Sequence, residues 1–327
     1  MCGEPLCLHT MSKARPNPET AAPRASAPTA LAVVESDGFA DYRLLDSGNG
    51  RKLERFGKII VDRPEPQALW HPLADEKLWA GAHAVFSAND DEESGRWRTN
   101  ATVPENWNVR LEDAVTLTCR LSGFRHLGIF PEQLPHWRWM IAALKQHKGA
   151  ERPRVLNLFA YTGAATLLAA HAGAEVTHVD ASKKAITWAR ENQVASGLKD
   201  APVRWMLEDA RKFVQREVRR AKQYDIILVD PPKFGRGPNN ETWDLFVDLP
   251  DMLRNCASLL AGPQSAIILT AYAIRASALM LDQLCREALA DKSGRFESGE
   301  LAIREEGGAR AVPTSLFTRW CGDDLKI

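Results

Sequence analysis

Three carboxylates stand at the ends of short apolar runs. Asp180 closes Glu175-Val-Thr-His-Val-Asp180, Asp209 with Glu208 closes Val203-Arg-Trp-Met-Leu-Glu-Asp209, and Asp230 closes Tyr224-Asp-Ile-Ile-Leu-Val-Asp230. A further run, Val155-Leu-Asn-Leu-Phe159, leads instead into the turn Ala160-Tyr-Thr-Gly163. A carboxylate one strand–helix–strand step beyond such a turn can accept from ribose hydroxyls. One a unit further on can meet an adenine amine. Taken singly, Asp180 and Asp209 read as helix caps. Three acids at strand ends of one sheet read better as the rim of a nucleoside pocket. Asp230 also opens Asp230-Pro-Pro-Lys233, where Pro231 and Pro232 fix φ and make a rigid acceptor for an amine proton. Lys233, Arg236 and Tyr272 can meet phosphate or base, or serve as solvated charge and a core tyrosine.

Positioning these residues takes a sheet with its strands side by side. The run 155–159 is a buried parallel strand. Residues 164–172 are good helix formers, and Gly173 ends that helix. A second strand ends at Asp180, and a helix runs from Ser182 to about residue 195. Strands at 203–209, 224–230 and 264–270 alternate with helices at 210–222, 245–260 and 275–289. Residues 295–304 and 314–321 form a closing antiparallel pair around Gly307-Gly308. The expected fold is α/β: a Rossmann-like sheet, mostly parallel with an antiparallel C-terminal edge, after a small N-terminal mainly-β domain. The domains are a disordered tail over 1–30, the β domain over 31–134 and the catalytic domain over 135–327. In the β domain, Ser47-Gly-Asn-Gly50 marks a hairpin and residues 114–121 alternate cleanly. Asp90-Asp-Glu-Glu93 reads as a solvated loop. Trp70, Trp79, Trp97, Trp107, Trp137 and Trp139 fill a core rather than stack on bases.

The turn carries one glycine where a diphosphate loop needs G-x-G-x-x-G. An acidic rim suits a cofactor with adenine, ribose, an amino-acid tail and a cationic centre, and S-adenosylmethionine has these parts. A nicotinamide-dependent oxidoreductase is the weaker alternative.

Asn157-Leu-Phe-Ala-Tyr-Thr-Gly163, His178-Val-Asp-Ala-Ser182, Trp188-Ala-Arg-Glu-Asn192 and Asp230-Pro-Pro-Lys-Phe234 resemble the class I S-adenosylmethionine-dependent methyltransferases. More narrowly they resemble bacterial large-subunit ribosomal-RNA methyltransferases, which include cytosine-5 and guanine-7 enzymes. Gly123-Phe-Arg-His-Leu-Gly-Ile-Phe-Pro-Glu-Gln133 resembles the segment that packs over the cofactor in that family. The likeness spans roughly 105–327. It implies that Phe130 and Gln133 lie near the cofactor, with Phe159, Ala160, Tyr161, Thr162 and Gly163 at its methionine end. Asp180, Ala181 and Ser182 would hold the ribose, and Glu208, Asp209 and Ala210 the adenine, with Asn192 completing the set. Asp230, Pro231, Pro232 and Lys233 would face the acceptor. Two features depart from the family. Cytosine-5 chemistry needs a thiolate after the fifth strand, where this chain reads Leu269-Thr-Ala-Tyr-Ala273. The family's RNA-binding module has no counterpart in residues 1–100. The expected function is methylation of an RNA base, in ribosomal RNA or a ribosomal particle, without a cysteine nucleophile. A small-molecule methyltransferase and a binding module without turnover stay open beside it.

Lys and Arg number 42, as do Asp and Glu, in 327 residues. A zero formal charge argues against a general nucleic-acid coat, though not against a local basic patch. No apolar run approaches the ~20 residues of a membrane span. The six cysteines lack metal-ligand spacing and read as reduced thiols of a cytoplasmic protein. No metal is expected, and the oligomeric state stays open.

Overall fold

The computed structural model describes residues 30–89, 94–272, 274–308 and 310–327. Nearly all of the expected tail over 1–30 and the acid run 90–93 lie outside these residues.

The first strand, β1 (Ala32–Ser36), precedes the β domain. That domain is built from β2 (Tyr42–Gly48), β3 (Arg51–Phe56), β4 (Ile59–Pro64), the short helix α1 (Glu76–Ala80), β5 (Ala84–Ala88) and β6 (Gly95–Thr99). The hairpin β7 (Trp107–Leu111) and β8 (Val115–Cys119) follows. β2 and β3 meet through the two-residue turn Asn49-Gly50, both residues at positive φ (52° and 73°). That conformation matches strand twist and explains the Asn-Gly pair.

Of the six tryptophans singled out in the sequence, five pack inward, and Trp79 on α1 lies outside the core. Trp137 is buried, and Trp70, Trp97, Trp107 and Trp139 press half-buried on the core. Indole N–H groups find acceptors: Trp70 on Ser47, Trp79 on Asp46, Trp97 on Phe124 and Trp107 on Phe56. Large rings with a polar edge are buried this way when the edge is satisfied.

The catalytic part runs α2 (Leu134–Lys145), β9 (Arg154–Leu158), α3 (Ala164–His171), β10 (Glu175–Asp180), α4 (Lys183–Ala195), β11 (Val203–Leu207), α5 (Ala210–Arg219) and β12 (Ile226–Val229). A small hairpin of β13 (Phe234–Arg236) and β14 (Thr242–Asp244) comes next. Then follow α6 (Leu245–Ser258), β15 (Ala266–Tyr272), α7 (Ala278–Ala288), β16 (Gly294–Arg304) and β17 (Ala311–Gly322). The main sheet has the order β1-β16-β17-β15-β12-β9-β10-β11. β9 to β12 and β15 are parallel, while β17 is antiparallel to both β15 and β16. β9 lies between β10 and β12, so the order reverses there and the crevice opens beyond its carboxyl end.

The mostly parallel sheet matches the sequence reading, but its antiparallel strand, β17, is not at the edge: β16 and β1 lie outside it. β1 adds an unforeseen strand. It pairs in parallel with β16, Val34 opposite Leu301, so its residues belong to the catalytic sheet although the sequence reading gave them to the β domain.

One apolar core joins the β domain to a face of the sheet, from Tyr42, Phe56 and Leu117 to Leu134, Val155 and Leu168. A second covers the other face with Leu158, Phe213, Leu253 and Leu281. Burying each large side chain contributes about 1.5–3 kcal/mol. This double cover makes the strand ends rigid, and so places the groups they carry.

Candidate active site

The turn after β9 is held open by its own residues. Phe159 and Tyr161 adopt positive φ (56° and 48°), as does Gly163 (86°). At Gly163 a Cβ would come within 3.1 Å of the Ala189 Cβ, so the turn sits tight on α4. The Asp180 carboxylate braces it, accepting from the Tyr161 amide at 2.8 Å and the Ser182 amide at 2.7 Å. The Ala160 amide donates to Val179 and the Gly163 amide to Ala160. Three amides that a diphosphate would need are therefore engaged. Burial raises the Asp180 pKa, and the two amide bonds oppose that rise.

A cleft of about 730 Å³ lies beyond these strand ends. Of the residues singled out in the sequence, it gathers Phe130, Gln133, Phe159, Tyr161, Asp180, Ala181, Ser182, Asp209, Ala210, Asp230, Pro231, Pro232, Lys233, Arg236 and Tyr272. Ala160, Thr162 and Gly163 line a recess of about 60 Å³ under the turn, which shares Phe130, Gln133 and Asp230 with the cleft.

Two expected residues face elsewhere. Glu208 lines neither space and instead pairs with Arg216 on α5. Asn192 is fully buried behind the turn, donating to the Thr162 carbonyl at 3.0 Å and accepting from the Thr118 amide at 2.9 Å. It positions the turn and has no face toward the cleft. Asp209 also caps α5 through the Lys212 amide at 3.0 Å, and Ser182 caps α4 through Ala185 at 3.2 Å. Asp180 braces the turn and Asp209 caps a helix while both still line the cleft.

Asp230 faces Gln133, whose Nε2 donates to its Oδ2 at 3.3 Å, and Thr270 donates to Gln133 Oε1 at 3.4 Å. Burial pushes the Asp230 pKa up to about 7, and Glu132 adds to the rise. A carboxyl poised there holds or releases a proton near neutrality. The Pro232 carbonyl accepts from the Trp243 indole at 2.7 Å, and Trp243 in turn packs against Phe159, the rings tilted by 58° with centroids 4.9 Å apart. The β13–β14 hairpin so anchors the Asp-Pro-Pro segment.

Other cleft residues escaped the sequence reading: Arg125, His126, Glu132, Phe234, Trp243 and Ser315. Arg125, His126 and Glu132 stand inside the Gly123–Gln133 segment already singled out, and Phe234 closes the quoted Asp230–Phe234 segment. Ser315 gave no signal. Arg125, Lys233 and Arg236 line the cleft with no carboxylate within 4.0 Å among the described residues. Cys119, Cys256, Cys285 and Cys321 are buried and none lines the cleft. Burial pushes the thiols of Cys119, Cys256 and Cys285 up to about 12. Cys2 and Cys7 lie outside the described residues. No group of three metal-ligating side chains occurs among the described residues, and no helix there is long and apolar enough to cross a membrane.

A family model for S-adenosylmethionine-dependent methyltransferases matches residues 77–294, well over half of the chain. The chain belongs to that family. A solved S-adenosylmethionine-dependent methyltransferase from Agrobacterium tumefaciens is 51% identical, with a TM-score of 0.84 over 88% of this chain and 93% of that one. A putative methyltransferase from Streptococcus mutans is 18% identical, with a TM-score of 0.66 over 86% of this chain and 75% of that one, and shares the fold. The ribosomal RNA large subunit methyltransferase K/L of Syntrophotalea carbinolica is 35% identical over 158 residues, 48% of this chain and 21% of the relative. Its counterpart in Shewanella frigidimarina is 37% identical over 114 residues, 34% of this chain and 16% of the relative. The chain thus spans about a fifth or less of these curated relatives.

The donor set fits the methyltransferase cofactor. Asp180 and Asp209 keep lone pairs free for hydroxyl and amine donors, and Phe130, Phe159 and Tyr161 give the cleft aromatic walls. The engaged turn amides leave little for a diphosphate.

Proposed function

We propose that this methyltransferase modifies a nitrogen of a base in RNA, ribosomal RNA first. The observation that carries the reading is the division of the cleft. Asp180 and Asp209 stand at the turn end, while the other end holds Asp230 and Glu132, both with pKa values raised by burial, together with Arg125, Lys233 and Arg236, none of which has a carboxylate within 4.0 Å among the described residues. An acidic end suits a cationic cofactor, and an unneutralised cationic end suits a polyanionic acceptor. The names of the curated relatives support the same substrate class.

Bound in the cleft, S-adenosylmethionine supplies an electrophilic methyl group. Asp180 and Ser182 would hold its ribose, Asp209 and Ala210 its adenine, and Phe130, Gln133 and Tyr161 its amino-acid end. A base nitrogen needs no covalent enzyme intermediate. Its lone pair would take the methyl as the sulfonium–methyl bond breaks and the thioether S-adenosylhomocysteine departs, and Asp230, ionised, would accept the proton that the nitrogen then sheds. Pro231 and Pro232 fix that carboxylate, and Gln133 orients it from the other side. Most of the advantage comes from holding the nitrogen in line. A base within structured RNA must first leave its stack.

Tritium from labelled S-adenosylmethionine should enter the RNA fraction of a cell extract, and ribosomal RNA above others. Label confined to small molecules or protein would overturn the reading.

A further inference from the structure

Arg125, Tyr272 and Ser315 stand where the cleft meets a second cavity of about 460 Å³, and all three line both spaces. Tyr272 and Ser315 are paired across β15 and β17. Paired residues put their side chains on one face of the sheet, with Cβ atoms about 5 Å apart. Arg125 joins them by donating from Nη2 to the Tyr272 hydroxyl at 2.8 Å.

Arg125 is only 6% exposed. The neighbouring cations are neutralised: Arg63 by Glu54 at 2.6 Å and Lys52 by Glu65 at 3.1 Å. Arg125 has no such partner among the described residues, and burying an unpaired charge is unfavourable. Its Nε makes no hydrogen bond, and neither does the Oγ of Ser315, itself 7% exposed. The Tyr272 hydroxyl accepts from Arg125 and so keeps its own proton to give. One charged fork and two hydroxyls, all with donors in hand, match the oxygens of a phosphoryl group.

We propose that Arg125, Tyr272 and Ser315 form a phosphate subsite that grips the phosphoryl group next to the acceptor base, with the second cavity taking the residue beyond it. The carrier of the phosphate rests on the RNA reading: a backbone diester beside the target nucleotide. A phosphomonoester on a small acceptor presents the same chemistry, and the test separates the two.

The whole protein, saturated with S-adenosylhomocysteine, is titrated with single-stranded RNA at several salt concentrations. Arg125→Gln should flatten the slope of log affinity against log salt by about 0.7, the loss of one phosphate contact. Arg125→Lys keeps the charge and should keep the slope. Ser315→Ala and Tyr272→Phe should weaken RNA binding roughly threefold to tenfold with the slope intact. These two carry the test if Arg125→Gln does not fold. Retained affinity for S-adenosylhomocysteine shows which variants are folded. RNA binding indifferent to all of the variants overturns the subsite and leaves the RNA reading standing. If the wild type ignores RNA but binds a nucleoside 5′-monophosphate, and Arg125→Gln abolishes this, the RNA reading fails and the subsite holds for a phosphomonoester. Binding of neither overturns both.

Discussion

The Asn192 side-chain amide donates to the Thr162 carbonyl at 3.0 Å while its oxygen accepts from the Thr118 amide at 2.9 Å. One fully buried side chain so ties the cofactor turn to β8, two segments far apart in the chain. Asn192→Ala should strand a buried carbonyl and a buried N–H. The expected loss is about 1–3 kcal/mol of stability, read by urea unfolding, with weaker cofactor binding following only through the loosened turn. Asn192→Asp cannot donate to Thr162 and should fare little better. A variant of wild-type stability that had lost the cofactor would mean direct contact instead.

Asp180 and Glu208 make a matched contrast. Both are acids near strand ends, yet Asp180 lines the cleft and Glu208 turns to Arg216. Asp180→Ala should weaken S-adenosylhomocysteine binding by the order of 1–3 kcal/mol in calorimetry, the value of charged hydrogen bonds. Glu208→Gln should change affinity by less than about 0.5 kcal/mol, because Glu208 lines neither space and loses only a partly exposed ion pair. Equal losses would restore Glu208 to the adenine site.

Much of this was legible before any coordinates. Buried parallel strands read as unbroken apolar runs, and β12, Ile226–Val229, is buried at every position. The strand-end rule then put Asp180, Asp209 and Asp230 along one edge. Direction was not legible. A carboxylate at a strand end faces either the crevice or the next helix, and for Glu208 the cation eight residues on, Arg216, decided it. Asn192 lies on a helix face, where polarity alone cannot tell a ligand from a brace. β1 is five residues long beside a Pro- and Ala-rich stretch, and its partner Gly294–Arg304 lies at the far end of the chain. Tyr272 and Ser315 meet only through β15–β17 pairing, and Arg125 reaches them from the segment before α2, a convergence that local sequence does not encode.

Asp230 sets the pH dependence expected of catalysis. Burial raises its pKa from the usual carboxylate range to about 7. If its ionised form takes the proton, kcat/KM should rise with pH through an apparent pKa near 7 and level off above it. Asp230→Asn should lose that limb together with most of the turnover. Stability moves the other way, because the folded state holds a proton that the unfolded state has released. Folding is favoured less as pH climbs from about 4 to about 7, so Asp230→Asn should be more stable than wild type at pH 8. The gain is about 1.4 kcal/mol for each pH unit separating the folded and unfolded pKa values, less whatever solvent screening removes. A flat activity profile across that range would remove Asp230 from proton transfer.

Under the turn, Asn157 donates to the Thr166 hydroxyl at 2.9 Å, and that hydroxyl is hydrogen-bonded to Nδ1 of His178, also at 2.9 Å. Burial favours the neutral imidazole and pushes the His178 pKa down to about 3. In the unfolded state the ring titrates near 6.5. Between those values the unfolded state binds the extra proton, so stability falls as pH drops from about 6.5 toward 3, and the contribution is complete above 6.5. The loss amounts to about 1.4 kcal/mol per pH unit within the window. His178→Gln carries no titrating proton there, so its unfolding free energy should vary less steeply with pH over the same range, whatever the cost at neutrality. Parallel curves for the two proteins would show that His178 already carries its proton in the folded state.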